Sequence, residues 1–146
     1  AMILKDTQQL IGSIGIVPDP KRENPQVRML GYWLDEAHWG KGYMTEAVQA
    51  ILNYGFNELQ LSLITANCYP HNKRSQQVLE RNGFIYEGVL HQAELTFCRI
   101  YASLPRKTMT RFWKFGKHRY ATRIISSRKN ISSFTSHWCA IIIYRR

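Results

Sequence analysis

Two short segments bring together residues that could bind and activate a charged small molecule. The first is Gly40-Lys41-Gly42, which stands between an apolar segment and a run with helical spacing. A helix start leaves backbone amides without intrahelical partners, glycines let a ligand approach the main chain, and a lysine adds positive charge. The pattern therefore indicates either a site for a phosphate or pyrophosphate, or a plain helix cap whose glycines serve only the turn.

The glycine segment does not match two widespread phosphate-binding motifs. It lacks the spacing GxxxxGK[ST] of a P-loop and the full GxGxxG of a dinucleotide-binding fold. The second segment, "NKRSQQVLERNGF" at residues 72–84, reads as a helix that begins near Asn72 and stops at Asn82-Gly83. It places the hydroxyl of Ser75 in the first turn, where such a group often caps the helix.

Hydrophobic periodicity predicts the elements that must position these residues. Apolar alternation and turn signals give the order strand, strand, helix, strand, helix, strand, strand. The strands are predicted at residues 9–17, 27–34, 61–69, 84–90 and 99–104, the first two and the last two as hairpins, and one more at "IIIY" near the end. This order predicts an α/β or α+β sheet with helices packed on it.

The segments "WGKGYMTEA" and "NKRSQQVLERNGF" together resemble the GNAT acetyltransferase superfamily, in the branch that acetylates the N-termini of ribosomal proteins. The resemblance covers roughly residues 9–104. It implies a mixed, largely antiparallel sheet with helices packed on it. A complete domain of this family begins with a strand and two helices, and we expect this chain to lack them.

The resemblance implies that acetyl-CoA binds as cosubstrate. Family members hold its pyrophosphate with an Arg/Gln-x-x-Gly-x-Gly/Ala loop. Gly42 matches the required glycine, whereas Trp39 replaces the usual Arg or Gln and Met44 replaces the small residue. The residues expected to bind the cosubstrate are Leu34, Trp39, Gly40, Lys41, Gly42, Tyr43, Met44 and Asn72.

The resemblance also implies roles in catalysis for Asn72 and Ser75. Asn72 would bond the pantetheine arm or a nearby amide, and Ser75 would protonate the leaving thiolate. Many relatives use a tyrosine seven residues after the asparagine, where this chain has Leu79. Ser75 is therefore either the proton donor or a hydroxyl that caps its helix.

A general base is less clearly marked. Some relatives use a glutamate five residues before the asparagine, and this chain has Asn67 there. We rank Glu36 first as a substitute because it follows the second predicted strand, with His38 and Glu87 as alternatives, and each is otherwise an ordinary surface residue. A main-chain amide near Leu34 would polarise the thioester oxygen. The aromatic residues Tyr32, Trp33 and Trp39 line the acceptor groove or belong to the core.

Charge divides the chain into two parts. Residues 95–146 hold 12 of the 20 Lys and Arg residues and none of the 10 acidic residues. We therefore expect a core at residues 1–104 and a basic extension of uncertain fold at residues 105–146. The extension binds nucleic acid or another polyanion, or it is a solvated tail without a partner, even one translated in an altered frame.

Composition narrows the class of protein further. The chain is 45% hydrophobic, which excludes global disorder, and its three cysteines show neither disulfide nor metal-ligand spacing. No segment is long enough to span a bilayer, and no signal peptide is recognised, so we expect a cytoplasmic protein without a metal.

The predicted function is acetyl transfer from acetyl-CoA to a primary amine of a protein N-terminus or small molecule, by a chain that also forms a homodimer. The alternative is a catalytically impaired module that binds RNA or the ribosome through its basic tail.

Overall fold

The computed structural model describes residues 1–94, 97–105, 122–126 and 139–143. Its two α-helices, a short 3-10 turn at Glu36–His38 and a π turn at Tyr54–Glu58 are interleaved with the strands of one sheet. In chain order the helices and strands are β1 Met2–Leu4, β2 Leu10–Pro18, β3 Val27–Leu34, α1 Tyr43–Asn53, β4 Leu63–Cys68, α2 Lys73–Arg81, β5 Ile85–Glu94, β6 Phe97–Pro105, β7 Thr122–Ser126 and β8 Cys139–Ile143.

The described strands form one sheet in the order β5-β6-β4-β3-β2-β1-β8-β7. Most neighbours run antiparallel, while β3 and β4 run parallel, as do β1 and β8. A parallel pair needs a crossover, and α1 supplies the one between β3 and β4. The predicted mixed, largely antiparallel sheet with helices packed on it is confirmed.

The predicted hairpins are confirmed, and two strands lie outside the predicted set. β2 pairs with β3 and β5 pairs with β6, both antiparallel. The sequence pattern does not predict β1, because three residues show almost no periodicity. β1 leads directly to β2, without a helix between them. β8 lies at the predicted "IIIY" strand, and β7 pairs with it. The part of the chain beyond residue 104 therefore contributes strands to the sheet, while the boundary at residue 104 stays a prediction.

The helical spacing after Gly42 places one face of α1 against the sheet. The side chains of Ala47, Val48, Ile51 and Leu52 recur every three or four residues and are buried. They pack in one cluster with isoleucines of β2 and with Ile64 of β4. Burial of each large aliphatic side chain contributes about 1.5–3 kcal/mol, so this face holds α1 firmly on the sheet.

The pairing of β2 with β3 depends on a glycine at position 12. A Cβ built on Gly12 would lie 2.4 Å from the carbonyl oxygen of Trp33, whereas one built on Gly15 meets nothing described within 4 Å. A backbone oxygen in a strand cannot move aside as a flexible side chain can. Gly12 therefore lets the two backbones approach beside the end of β3.

We expect Gly12→Ala to lower the free energy of unfolding by about 1–3 kcal/mol, because the methyl group overpacks the strand pair. Urea unfolding followed by circular dichroism measures the change. Gly15→Ala, on the same strand, is the matched control and should stay within about 0.5 kcal/mol of the parent. Equal stability of the two variants would contradict the close approach at Gly12.

Candidate active site

The parallel ladder between β3 and β4 ends before either strand does. The last pair is Leu30 with Ala66, yet β3 continues to Leu34 and β4 continues to Cys68. In the part of the chain that the structure describes, residues 31–34 pair only with β2. We call the region between residues 31–34 and residues 67–68 the split.

One edge of β3 presents backbone polar groups to the split. The amide of Asp35 donates to the carbonyl of Ile11, which sets the phase of the antiparallel ladder. Because backbone groups alternate in direction along a strand, those of Tyr32 and Leu34 point away from β2 and toward the split. The indole Nε1–H of Trp39 donates to the Leu34 carbonyl oxygen at 2.8 Å. The Leu34 amide therefore faces the split.

The glycine segment forms a left-handed turn that leads into α1. Gly40 has φ +73° and Gly42 has φ +84°, which L side chains rarely adopt. Gly42 is the N-cap residue, and the helix ladder begins with the Glu46 amide donating to the Gly42 carbonyl. Gly42 has no side chain that could cap this end of the helix, and no described atom beyond the adjacent chain lies within 4 Å of a Cβ built on either glycine. The turn thus presents the positive end of α1 across open space.

The basic side chains around this turn have defined positions. Lys41 Nζ donates to the Ala37 carbonyl at 2.9 Å, so its charge folds back over the 3-10 turn. The guanidinium carbon of Arg74 lies 4.5 Å from the ring centroid of Trp39, a cation–π contact. Trp39 thus joins the end of β3 to the first turn of α2. This contact gives a structural role to the tryptophan that replaces the family's usual Arg or Gln.

Asn72 and not Ser75 caps α2. The Asn72 side-chain oxygen accepts from the Ser75 amide at 3.0 Å, as an N-cap residue does for the amide three residues on. Of the two predicted partners for Asn72, the structure shows the nearby amide. The interpretation of Ser75 as the capping hydroxyl is therefore corrected, because its hydroxyl points elsewhere.

The Ser75 hydroxyl reaches across to β3. The Tyr32 hydroxyl lies 2.8 Å from Ser75 Oγ, a contact in which either group can donate, and 3.3 Å from the Ser75 carbonyl oxygen, which can accept its proton. The thiol of Cys68 on β4 is also buried, and the nearby Ser75 side chain only partly offsets the rise in its pKa that burial causes. Burial raises the pKa of Tyr32 to about 12 and also raises the pKa of Cys68. Both groups are consequently protonated near neutral pH.

The sequence did not mark Tyr32 as the partner of Ser75, or Cys68 as a residue near both. Tyr32 was expected in the acceptor groove or the core, and Cys68 only as an isolated thiol. The alternation of side chains along the two strands is a signal that could have identified these residues. Tyr32 and Cys68 stand two residues beyond the Leu30–Ala66 pair on β3 and β4 respectively.

The three carboxylate and imidazole candidates for a general base differ in their surroundings. Glu36 is exposed in the 3-10 turn and makes no side-chain hydrogen bond to any described residue. The ring of His38 is buried and its Nδ1 lies 3.0 Å from the Asp35 carboxylate. Glu87 is engaged by Arg22 at 3.1 Å.

A polar network explains why Glu87 is held. Arg22 bridges Glu87 to Asp19, which is buried between the β2–β3 turn and β4. Burial alone would raise the pKa of Asp19, but hydrogen bonds from the Lys21 amide, the Thr65 hydroxyl and Arg22 outweigh it and lower the pKa. Glu87 therefore belongs to an anchored ion-pair network.

Asn67 occupies the position where some relatives carry a glutamate. Its Nδ2 lies 3.2 Å from the sulfur of Met29, and its buried Oδ1 has no hydrogen-bond partner among the described residues.

In the described ranges no group of three or more His, Cys, Asp or Glu residues could hold a metal ion. Neither described helix is long and apolar enough to cross a bilayer.

Comparison with known proteins agrees with this geometry. Residues 1–85 match the acetyltransferase (GNAT) domain family. The chain is 39% identical to ribosomal-protein-serine acetyltransferase of Escherichia coli (strain K12) over 94 residues, which are 64% of this chain and 50% of that protein. A probable N-acetyltransferase of Bacillus subtilis (strain 168) is 50% identical over 64 residues, 44% of this chain and 35% of that protein.

Solved structures show the same fold. A GNAT-family acetyltransferase from Bacillus anthracis superposes with a TM-score of 0.65 at 28% identity, over 72% of this chain and 64% of that one. Ribosomal-protein-S5-alanine acetyltransferase from Vibrio fischeri gives a TM-score of 0.64 at 28% identity, over 69% and 57%. The chain spans about half the length of several curated relatives it matches. It belongs to the GNAT acetyltransferase family, as its two motifs predicted.

We expect Asn72→Ala to destabilise the protein by about 1 kcal/mol, because the Ser75 amide loses its acceptor at the start of α2. Asn72→Asp keeps an acceptor oxygen and should retain the parent stability. The midpoint of urea unfolding measures both variants. A midpoint for the alanine variant that equals that of the aspartate variant would show that Asn72 does not cap the helix.

Proposed function

We propose that this chain transfers an acetyl group from acetyl-CoA to a primary amine by direct attack of the amine. The observation that carries the proposal is that Trp39 links the glycine turn, the end of β3 and the start of α2. This residue precedes the glycine turn, bonds the end of β3, and lies under Arg74, the neighbour of Ser75. An anion site, an open strand edge and a hydroxyl are thereby connected.

The residues present fit acetyl-CoA. The glycine turn offers helix-start amides over open space, which suits a pyrophosphate, and the open edge of β3 offers backbone groups to an amide-containing arm. When bound, acetyl-CoA supplies the acetyl group as an activated thioester. The residues that we assign to hold it are Leu34, Trp39, Gly40, Lys41, Gly42, Tyr43, Met44 and Asn72.

We assign three roles to side chains and backbone near the split. The Leu34 amide donates to the oxygen on which negative charge develops, and Ser75 keeps a proton at Oγ for the leaving sulfur. Asn72 holds the Ser75 backbone in place through its capping bond. An amine is mostly protonated near neutral pH, so a base must remove a proton, and Glu36 is our first assignment.

The acceptor that we propose is the N-terminal amine of a protein. The names of two similar proteins, a ribosomal-protein-serine acetyltransferase and a ribosomal-protein-S5-alanine acetyltransferase, support this class. The half-exposed indole of Trp33, on β3 beside the split, suits a peptide that must approach from solvent. Such an acceptor would be met in the cytoplasm, and a second copy of the chain would complete its groove.

Isothermal titration with CoA tests the cosubstrate site. We expect Gly42→Glu to weaken binding at least a hundredfold, because the carboxylate enters the pyrophosphate space and opposes the anion. Gln49→Glu adds the same charge on an exposed position of α1 and should bind within about threefold of the parent. Absence of binding by the parent chain, or equal binding by both variants, would defeat the proposal.

A second function rests on the charge of residues 95–146. A segment with 12 basic and no acidic residues supports salt-dependent binding of RNA or the ribosome. Replacement of the Lys and Arg residues between 106 and 119 by Gln should weaken RNA binding and lower its dependence on salt. Fluorescence anisotropy with a single-stranded RNA measures both. Binding that ignores salt concentration in the parent would exclude this function.

A further inference from the structure

Arg74 carries a positive charge that no described carboxylate neutralises. It is exposed in the first turn of α2, with its guanidinium carbon 4.5 Å from the centroid of the Trp39 ring. Among the residues that the structure describes, no ion pair involves Arg74. An indole has one N–H donor and no acceptor lone pair, so the ring offers nothing to the five N–H donors of the guanidinium. These donors can therefore bind an anion.

The ring beneath Arg74 is itself anchored beside the glycine turn. Trp39 Nε1–H donates to the Leu34 carbonyl oxygen at 2.8 Å, which fixes the indole against the end of β3. Trp39 directly precedes Gly40, where the turn begins. A guanidinium over this ring consequently lies next to the turn, although it belongs to a different helix.

The residues of the turn and of α1 supply little full positive charge of their own. Lys41 Nζ donates to the Ala37 carbonyl at 2.9 Å, so its ammonium group lies over the 3-10 turn. The first turn of α1 contains Glu46 and no basic residue. The amides at a helix start carry only partial positive charge, whereas a pyrophosphate diester carries two negative charges near neutral pH. A pyrophosphate at this turn therefore leaves room for a further cation.

We infer that Arg74 is a cosubstrate-binding residue, whose guanidinium donates to the pyrophosphate of acetyl-CoA at the glycine turn, and that Trp39 positions it there. The inference rests on the proposed function and adds a residue of α2 to those that hold the cosubstrate. A guanidinium suits this task because its planar fork of N–H groups matches two oxygens of a phosphate. The ligand then joins the start of α1 to the start of α2.

A purely structural role for Arg74 is the competing interpretation. The contact with Trp39 attracts α2 to the end of β3 whether or not a ligand is bound. On this interpretation, replacement of Arg74 lowers stability and leaves the affinity for CoA unchanged. The 3′-phosphate of CoA is a second anion of the same chemistry, and a CoA analogue separates it from the pyrophosphate.

Isothermal titration with CoA tests the inference on matched variants. Arg74→Gln should weaken binding about tenfold or more, because charge-assisted hydrogen bonds to phosphate are lost. Lys73→Gln removes the same charge one residue away, from an exposed side chain, and should bind within about threefold of the parent because salt screens a distant charge. Arg74→Lys keeps the charge without the planar fork, so its affinity should lie between those of Arg74→Gln and the parent.

Substitutions of Trp39 test how Arg74 is positioned. Trp39→Leu removes the ring and should weaken CoA binding in the parent, with a smaller effect in an Arg74→Gln background. Trp39→Phe keeps an aromatic face and should retain more affinity than Trp39→Leu. Equal effects of Trp39→Leu in the two backgrounds would show that the ring does not act through Arg74.

Dephospho-CoA, which lacks the 3′-phosphate, identifies the phosphate that Arg74 binds. If Arg74→Gln weakens the binding of CoA and of dephospho-CoA by the same factor, the pyrophosphate assignment is supported. A loss of affinity for CoA alone assigns Arg74 to the 3′-phosphate and overturns the inference.

The outcomes also separate the inference from the function beneath it. A parent chain that does not bind CoA overturns both. If the parent binds CoA and Gly42→Glu does not, unchanged affinity in Arg74→Gln overturns only the inference, and so does an equal loss in Lys73→Gln. Circular dichroism and the urea midpoint of each variant show whether it is folded, which keeps a loss of affinity distinct from a loss of structure.

Discussion

The structure depends on the point at which β3 and β4 stop pairing. Up to Leu30 and Ala66 the two strands form a parallel ladder, and beyond it their facing backbone groups have no ladder partner within the described chain. Backbone polar groups left at a strand edge are a strong binding resource. The Ser75–Tyr32 contact spans this region from α2, so the helix, the strand end and the hydroxyl hold one another in register.

The loop before α1 has a positive charge beside it, although its residues depart from the family pattern. Where relatives have Arg or Gln, Trp39 donates its indole proton to the Leu34 carbonyl and offers its ring to Arg74. The face of an aromatic ring attracts a guanidinium through its quadrupole. Positive charge is thus kept near the glycine turn by a side chain of α2, although position 39 itself is neutral.

Several features of the fold could be predicted because their signals are local. The helical stripe of α1, the hairpin of β2 and β3, the start of α2 near Asn72 and the Gly83 stop each depend on residues close to one another in the chain. β1 escaped prediction because its three residues become a strand only through their neighbours β2 and β8. The same applies to β7, which is identified by its pairing with β8.

The sequence alone determined the family, the glycine turn before α1 and the helix that carries Ser75, because glycine spacing, capping chemistry and periodicity are properties of neighbouring residues. Only the tertiary structure decided what Ser75 touches. Tyr32 and Ser75 come from β3 and α2, which α1 and β4 separate along the chain, and their contact depends on where the β3–β4 ladder ends. Hydrogen bonds between distant segments follow from sheet register and packing, and no local pattern in the chain specifies them.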